Sequence, residues 1–319
     1  MIIKKKYILK MDYMHPFVLK EMKKSFIIIE EKNLKKNNYK KIEAVILDIR
    51  KINFSYFDKF INLKLIARFG VGYDNVDIRY LLKKNIKLAL TKNSVVRPVA
   101  EHTLSLILTI LRKLKYYDYS TRKLLWNNNI SNPKVFDIYD KRIFLIGYGK
   151  IGKKVCDLLN IFGCKIFFYD PNVKKFNKSK ATKVGLHKGL KNSDIVSLHL
   201  PLNKKTHKFF NKKLFNTMKK DSVLINTSRG KIINEKCLID KLVKEKNFYA
   251  GLDVFYDEPI KKGNKLIKLK NAILTPHICT SSEDARLAMS KEVYKNLINF
   301  FYRKPSNLLN LKKYLANLG

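Results

Sequence analysis

The chain alternates short continuous apolar runs with amphipathic stretches. Tyr7-Ile8-Leu9, the run Phe26-Ile27-Ile28-Ile29 within residues 25–30, and residues 44–48 read as strands. Residues 63–69 form another, running into Gly70-Val71-Gly72-Tyr73-Asp74. Residues 15–23 and 56–61 between them have helical character. Continuous apolar runs separated by helices predict parallel sheets covered on both faces, an α/β fold. Residues 99–114 predict a long apolar helix opened by Pro98 and Glu101. Beyond a polar stretch at 127–132, a second series begins. Strands are predicted at 142–146, 165–169, 195–200, 222–227, 250–255 and 272–275, with a helix at 150–160. An amphipathic helix at 282–302 closes the pattern.

Composition narrows the classes. A chain of 319 residues accommodates two domains of ordinary size. The longest apolar run, 104–111, is far shorter than the roughly 18 residues of a membrane span, so no membrane partner is expected. The basic start Lys4-Lys5-Lys6 leads into a strand rather than an apolar signal region, so no secretory signal is expected. The four cysteines, Cys156, Cys164, Cys237 and Cys279, form no CxxC pair and no metal-type spacing with His. Neither a disulfide framework nor a metal is expected, and a cytoplasmic location fits.

The net charge of +41 comes from 57 Lys against only 10 Arg, spread over the whole chain. Nucleic-acid sites favour Arg for bidentate and stacked contacts. The lysines accompany many Asn and Ile residues, the signature of an AT-rich coding sequence, so no specific nucleic-acid partner is expected. The charge would still concentrate anionic substrates.

The chemistry starts at Gly147-Tyr148-Gly149-Lys150-Ile151-Gly152, between a strand run and a helical pattern. In such a loop Gly147 permits a tight turn, Gly149 lets backbone approach a pyrophosphate, and Gly152 allows close helix–strand packing. The following helix would offer unpaired N–H groups to the phosphates. Asp170, at the end of the next strand, can accept from an adenosine ribose and would repel a 2′-phosphate, which favours NAD. Lys174 and Lys175 nearby weaken that preference slightly.

Three later segments add reactive groups. Arg229 ends Asn226-Thr227-Ser228-Arg229, Glu258 lies in Asp257-Glu258-Pro259, and His277 in Thr275-Pro276-His277. Each follows a predicted strand and is expected at the carboxyl edge of one sheet, where ligands bind in this architecture. Arg229 can bind a carboxylate bidentately. His277 can exchange a hydroxyl proton near neutral pH, and Glu258 can orient it. Alone, each is more often a turn or surface residue; together they suit oxidation of a 2-hydroxy acid.

Over nearly its whole length the chain resembles the D-isomer-specific 2-hydroxyacid dehydrogenase family. The matching stretches are Gly70–Asp77, Val99-Ala100-Glu101-His102-Thr103, the glycine loop, Asp194–Leu202, Asn226–Gly230, Asp253–Pro259 and Thr275-Pro276-His277. The resemblance implies two doubly wound parallel-sheet domains, Rossmann-like and flavodoxin-like, with a deep cleft between them. Residues 1–97 plus 284–319 would form a discontinuous substrate domain, and 98–283 the NAD-binding domain. It implies Arg229, Glu258 and His277 as catalytic residues. NAD contacts would fall on Lys150, Ile151, Asp170, Leu200, Thr227 and Asp253, with Asp253 near the carboxamide. The N–H groups of Val71 and Gly72 would bind the substrate carboxylate. A homodimer is usual in the family.

The substrate is less determined. Arg50, Arg68 and Arg97 match positions where phosphoglycerate-type members place cations, though each equally suits a solvated surface. On that resemblance the first expectation is 3-phosphoglycerate and a place in serine biosynthesis. The alternatives are glycerate, hydroxypyruvate or glyoxylate, or an NAD-sensing corepressor without turnover. Val95 departs from a common Asn, and Cys279 stands where the family usually has Gly or Ala. Only a short tail follows the last helix, so feedback through a C-terminal serine-sensing domain is not expected. Glu258, in place of Gln, disfavours formate.

Overall fold

The computed structural model describes residues 4–47, 50, 52–126, 133–305 and 307–312. The predicted strand end at Asp48 and the polar stretch 127–132 lie outside the described residues. The chain divides into two compact units, Met1–Val95 with Thr280–Gly319, and Val96–Cys279.

In the first unit, β1 (Lys6–Lys10), β2 (Phe26–Glu30), β3 (Ile42–Leu47), β4 (Leu65–Arg68) and β5 (Lys87–Ala89) form one sheet in the order β2-β1-β3-β4-β5. Every pairing is parallel. Neighbours along a strand point to opposite faces. Ile8 therefore joins Val18, Met22, Val293 and Leu297 from α1 (Pro16–Ser25) and α9 (Glu283–Tyr302), while Leu9 joins Phe54, Phe57 and Leu81 on the other face. Two buried faces explain why these strands read as unbroken apolar runs.

The second unit carries β6 (Arg142–Ile146), β7 (Lys165–Tyr169), β8 (Thr182–Lys183), β9 (Ile195–Leu198), β10 (Val223–Asn226), β11 (Tyr249–Leu252) and β12 (Ala272–Leu274). Their order is β12-β11-β10-β9-β6-β7-β8, again all parallel. This is the doubly wound arrangement, with direction of winding reversing between β6 and β9. Phe144 and Ile146 face one core, Ile143 and Leu145 the other. Each such side chain, fully buried, contributes roughly 1.5–3 kcal/mol relative to exposure. Helix α5 (Lys150–Ile161) buries Gly152, Val155, Cys156 and Leu159 along one stripe.

The predicted helix 99–114 divides. Helix α3 spans Val96–Leu111, Lys113 turns left-handed at φ 53°, and α4 (Leu114–Arg122) follows. The buried spacing of α3 ends with Ile107, Ile110 and Leu111, whereas Leu114 is exposed. The Lys113 ammonium sits 3.2 Å from the Tyr249 ring centre. Further helices complete the units: α2 (Ile78–Lys83), α6 (Leu186–Asn192), α7 (Lys212–Thr217) and α8 (Glu235–Lys244). Asp77, Asn211 and Asn234 cap α2, α7 and α8 through side-chain oxygens. Among the described residues, no helix is long and apolar enough to cross a membrane.

Candidate active site

Because the seven strands are parallel, the loops after β6, β7, β9, β10, β11 and β12 share one edge. The glycine loop follows β6, beside the reversal point. Gly147 adopts φ +97°, and a Cβ there would lie 2.3 Å from His199 O. A Cβ on Gly152 would lie 2.3 Å from Gly147 O. A Cβ on Gly149 would meet nothing within 4 Å, and Gly149 and Lys150 are exposed. The loop is thus tight against the protein on one side and open at the α5 N-terminus, which fits a pyrophosphate approached by backbone N–H groups. Ile151 packs against the core behind the loop, and the Leu200 side chain borders Gly147.

Asp170 ties the first two strand ends together. Its Oδ2 accepts from Tyr148 N–H and its Oδ1 from Asn172 N–H, each at 2.9 Å. A carboxylate oxygen accepts more than one bond, so ribose hydroxyls can still be accommodated. The Tyr148 side chain is buried and stacks on Phe168.

Behind this loop lies His199, for which sequence reasoning proposed no role. Burial holds it down to about 4, so it is neutral near pH 7, and its Nε2 is 3.0 Å from Ser197 Oγ. The signal was present in the Asp194–Leu202 stretch, but a His inside an apolar run has no reading without its neighbours.

After β10, Asn226 is fully buried and folds the next turn around itself. Its Oδ1 accepts from Ser228 N–H and Oγ–H, and its Nδ2 donates to Arg229 O. Thr227 is bonded to Thr103 Oγ1 at 2.9 Å. Gly230 closes the turn against the neighbouring loop: a Cβ there would lie 1.9 Å from the carbonyl of Phe255. Arg229 itself is half-buried, with Nη1 donating to Ser228 O.

The loops after β11 and β12 meet directly. His277 Nδ1 and Glu258 Oε2 are 2.8 Å apart, and Glu258 Oε1 accepts from Phe255 N–H at 3.0 Å. Burial alone would raise the Glu258 carboxyl. The His277 hydrogen bond and charge, the Phe255 N–H and the Arg229 charge outweigh it and hold the group below its ordinary value. The fold therefore brings Glu258 to His277, with the Arg229 charge acting on the same carboxylate.

Asp253 lies under this pair with no exposed surface. Its Oδ1 accepts from Ile278 N–H at 2.9 Å and from the Thr275 hydroxyl, and its Oδ2 from Cys279 N–H at 3.1 Å. Burial pushes the carboxyl up, but His102, Cys279, Thr275 and Ile278 together hold it at about 2. Those donors belong to residues on both sides of His277, so Asp253 fixes the turn that carries it. His102 Nε2 lies 3.0 Å from Thr275 Oγ1. The Thr275 hydroxyl gives its proton to Asp253, so it accepts from His102, which places a proton on Nε2. Burial and the Asp253 charge push the Cys279 thiol far up, so it stays a thiol. His102, Asp253 and Cys279 bring their ligand atoms within 4.8 Å of one another, but N–H and O–H donors already surround the carboxylate.

The remaining residues singled out in the sequence lie on α3 and in the first unit. Arg97, on α3, pairs with Glu101 at 2.6 Å and is exposed. In the first unit, Arg50 pairs with Glu31 at 2.7 Å and Asp12 at 3.6 Å. Arg68, 1% exposed, donates from Nε to Gly72 O and from Nη2 to Asn75 Oδ1, both at 2.9 Å. Val71 and Gly72 form the turn after β4, and among the described residues their N–H groups make no hydrogen bond to protein.

Known proteins are similar to this chain in sequence and in fold. A family model described as the NAD binding domain of D-isomer specific 2-hydroxyacid dehydrogenases matches residues 104–279. The chain is 33% identical to a glyoxylate reductase of Korarchaeum cryptofilum, over 81% of this chain and 80% of that protein. It is 33% identical to a hydroxypyruvate reductase of Thermotoga maritima, over 86% of this chain and 92% of that protein. Among solved structures, D-lactate dehydrogenase from Aquifex aeolicus, complexed with NAD and lactic acid, aligns with a TM-score of 0.82 and 28% identity. That alignment covers 92% of this chain and 95% of the other. The parallel sheet, the glycine loop at its reversal point and this likeness together place the chain in the D-isomer specific 2-hydroxyacid dehydrogenase family, whose NAD-binding domain it carries.

Proposed function

We propose that the enzyme reduces a small, unphosphorylated 2-keto acid, glyoxylate or hydroxypyruvate, with NADH. The observation that carries this reading is the 2.8 Å contact between His277 and Glu258 at the carboxyl edge of the cofactor sheet. Two features favour the unphosphorylated acids over phosphohydroxypyruvate. Arg50, Arg68 and Arg97 are engaged with Glu31, Gly72 and Glu101 respectively, and the relatives named above are glyoxylate and hydroxypyruvate reductases.

Arg229 binds the substrate carboxylate, and the N–H groups of Val71 and Gly72 are the carboxylate-binding groups of the first unit. His277 handles the proton. With Nδ1 donating to Glu258, a neutral ring has a bare Nε2, a base for alcohol oxidation. The protonated ring carries Nε2–H, an acid that donates to the ketone oxygen during reduction. NADH, when bound along the glycine loop, supplies the hydride to C2. Asp170, bonded to the loop itself, accepts the ribose hydroxyls and disfavours a 2′-phosphate.

The same reading includes a homodimer. Tyr119, Leu124 and Trp126, on and just after α4, are 60%, 90% and 68% exposed. Large apolar side chains this exposed and this close in sequence suit an interface between copies.

The test is a panel of glyoxylate, hydroxypyruvate and phosphohydroxypyruvate with NADH and with NADPH, followed by nucleotide absorbance. Preference for an unphosphorylated acid with NADH supports the reading; preference for phosphohydroxypyruvate overturns it.

A further inference from the structure

Arg68 has the charge of an anion ligand but the position of a structural clamp. It ends β4 and is 1% exposed. Two of its bonds grip one turn at two points: Nε to Gly72 O and Nη2 to Asn75 Oδ1. Asn75 in turn donates from Nδ2 to Arg50 O at 3.0 Å. The opposite end of the turn is held separately. Gly70, at φ 142°, donates to Thr91 Oγ1 at 2.8 Å, and its carbonyl accepts from Thr91 N–H at 3.1 Å. Thr91 is fully buried.

These anchors fix two peptide planes. In a trans peptide the carbonyl and the next N–H point in opposite directions. With Gly70 O turned to Thr91, the Val71 N–H points away from Thr91. With Gly72 O turned to Arg68, the plane between Gly72 and Tyr73 is fixed as well. The Val71–Gly72 peptide sits between two held planes and has little freedom to rotate.

We propose that Arg68 is a positioning residue: by clamping Gly72 and Asn75 it presents the N–H groups of Val71 and Gly72 to the substrate carboxylate, without touching the substrate. This rests on the reading that the carboxylate binds at that turn. It revises the expectation of Arg68 as a phosphate ligand, because the side chain is 1% exposed and turns Nε and Nη2 to its own loop. The side chain must be Arg, since an ammonium cannot reach two acceptors in a fixed fork. Its positive charge, shielded from water, also favours an anion at the turn.

The test measures steady-state kinetics of Arg68→Lys, Arg68→Met and Asn75→Ala with glyoxylate and NADH, and inhibition by oxalate, a carboxylate probe without a reducible ketone. A clamp lost from a binding turn raises KM for glyoxylate and Ki for oxalate together, by roughly tenfold, with kcat and KM for NADH nearly unchanged. Arg68→Lys recovers only part of the loss. If Arg68→Met does not fold, Asn75→Ala, which removes one half of the grip, carries the same expectation. The proposal fails if KM and Ki are unchanged in Asn75→Ala and Arg68→Lys, or if kcat falls while KM holds. It also fails if only phosphohydroxypyruvate binding is lost, which would make Arg68 a direct phosphate ligand. A wild-type enzyme inert toward glyoxylate defeats the functional reading alone. The clamp is then judged from oxalate binding to the enzyme–NADH complex by fluorescence, where equal affinity in all variants overturns it.

Discussion

Glu258 divides its two oxygens between His277 Nδ1 and the Phe255 N–H, so one carboxylate fixes both the ring and its own loop. Glu258→Gln keeps the shape and removes the carboxylate that holds the Nδ1 side of the ring. The expected outcome is a rate of keto-acid reduction lowered roughly ten- to a hundredfold near neutral pH. kcat checks this, and an unchanged rate would remove Glu258 from the proton path.

His277→Ala should cost at least roughly a hundredfold in kcat, the size of a lost general acid. The glycine loop and Asp170 do not depend on His277, so NADH affinity, read by fluorescence titration, should hold. A variant that turns over at the wild-type rate would end the mechanism proposed for this ring.

Asp253 predicts a specific acid sensitivity. Its folded value of about 2 lies below the ordinary 3.8. A depressed carboxyl contributes stability above its unfolded value and loses it as pH falls toward the folded one. The contribution at neutral pH is roughly 2 kcal/mol, disappearing between about pH 4 and pH 2. Urea unfolding at a series of pH values should show a decline that Asp253→Asn flattens. Equal slopes in both proteins would show that this carboxyl is not linked to folding.

Gly230→Ala should be poorly tolerated although Gly230 binds nothing. The added methyl would overlap the Phe255 carbonyl at 1.9 Å, and backbone on both sides leaves little room to yield. A loss of roughly 1–3 kcal/mol or more in urea unfolding is expected, with KM raised through the displaced Arg229 turn. A variant of normal stability and KM would mean that the two loops separate freely.

The exposed apolar stretch makes an assembly prediction. Leu124→Asp with Trp126→Asp should shift the protein to monomer in sedimentation velocity. A wild-type protein that is already monomeric at working concentration refutes the dimer.

The parallel sheets were legible because both faces of each strand are buried, which leaves continuous apolar runs such as Ile143–Ile146. The helix after Val96 was misjudged at its end because Leu114 keeps the apolar spacing while facing outward. The edge strands β5 and β8 escaped notice: β8 is two exposed residues, Thr182 and Lys183, with no pattern to read. Arg229, Glu258 and His277 were visible as residue types after strands. What the sequence could not reveal was the bonding of the layer beneath them, where Asp253 was expected only as a contact to the carboxamide. Asn226, Asp253 and His102 act through bonds to residues up to 173 positions apart, as between His102 and Thr275. Arg68 was legible as a cation but not as a buried one, since the Gly72 carbonyl and Asn75 amide oxygens that it bonds carry no charge to mark them.

The cofactor half occupies one unbroken stretch, Val96–Cys279, and the rest of the chain closes around it in sequence. Two joints are therefore enough to transplant it. Recombination at those joints leaves the glycine loop, Arg229, Glu258 and His277 in one piece, and a chimera made there should still bind NADH.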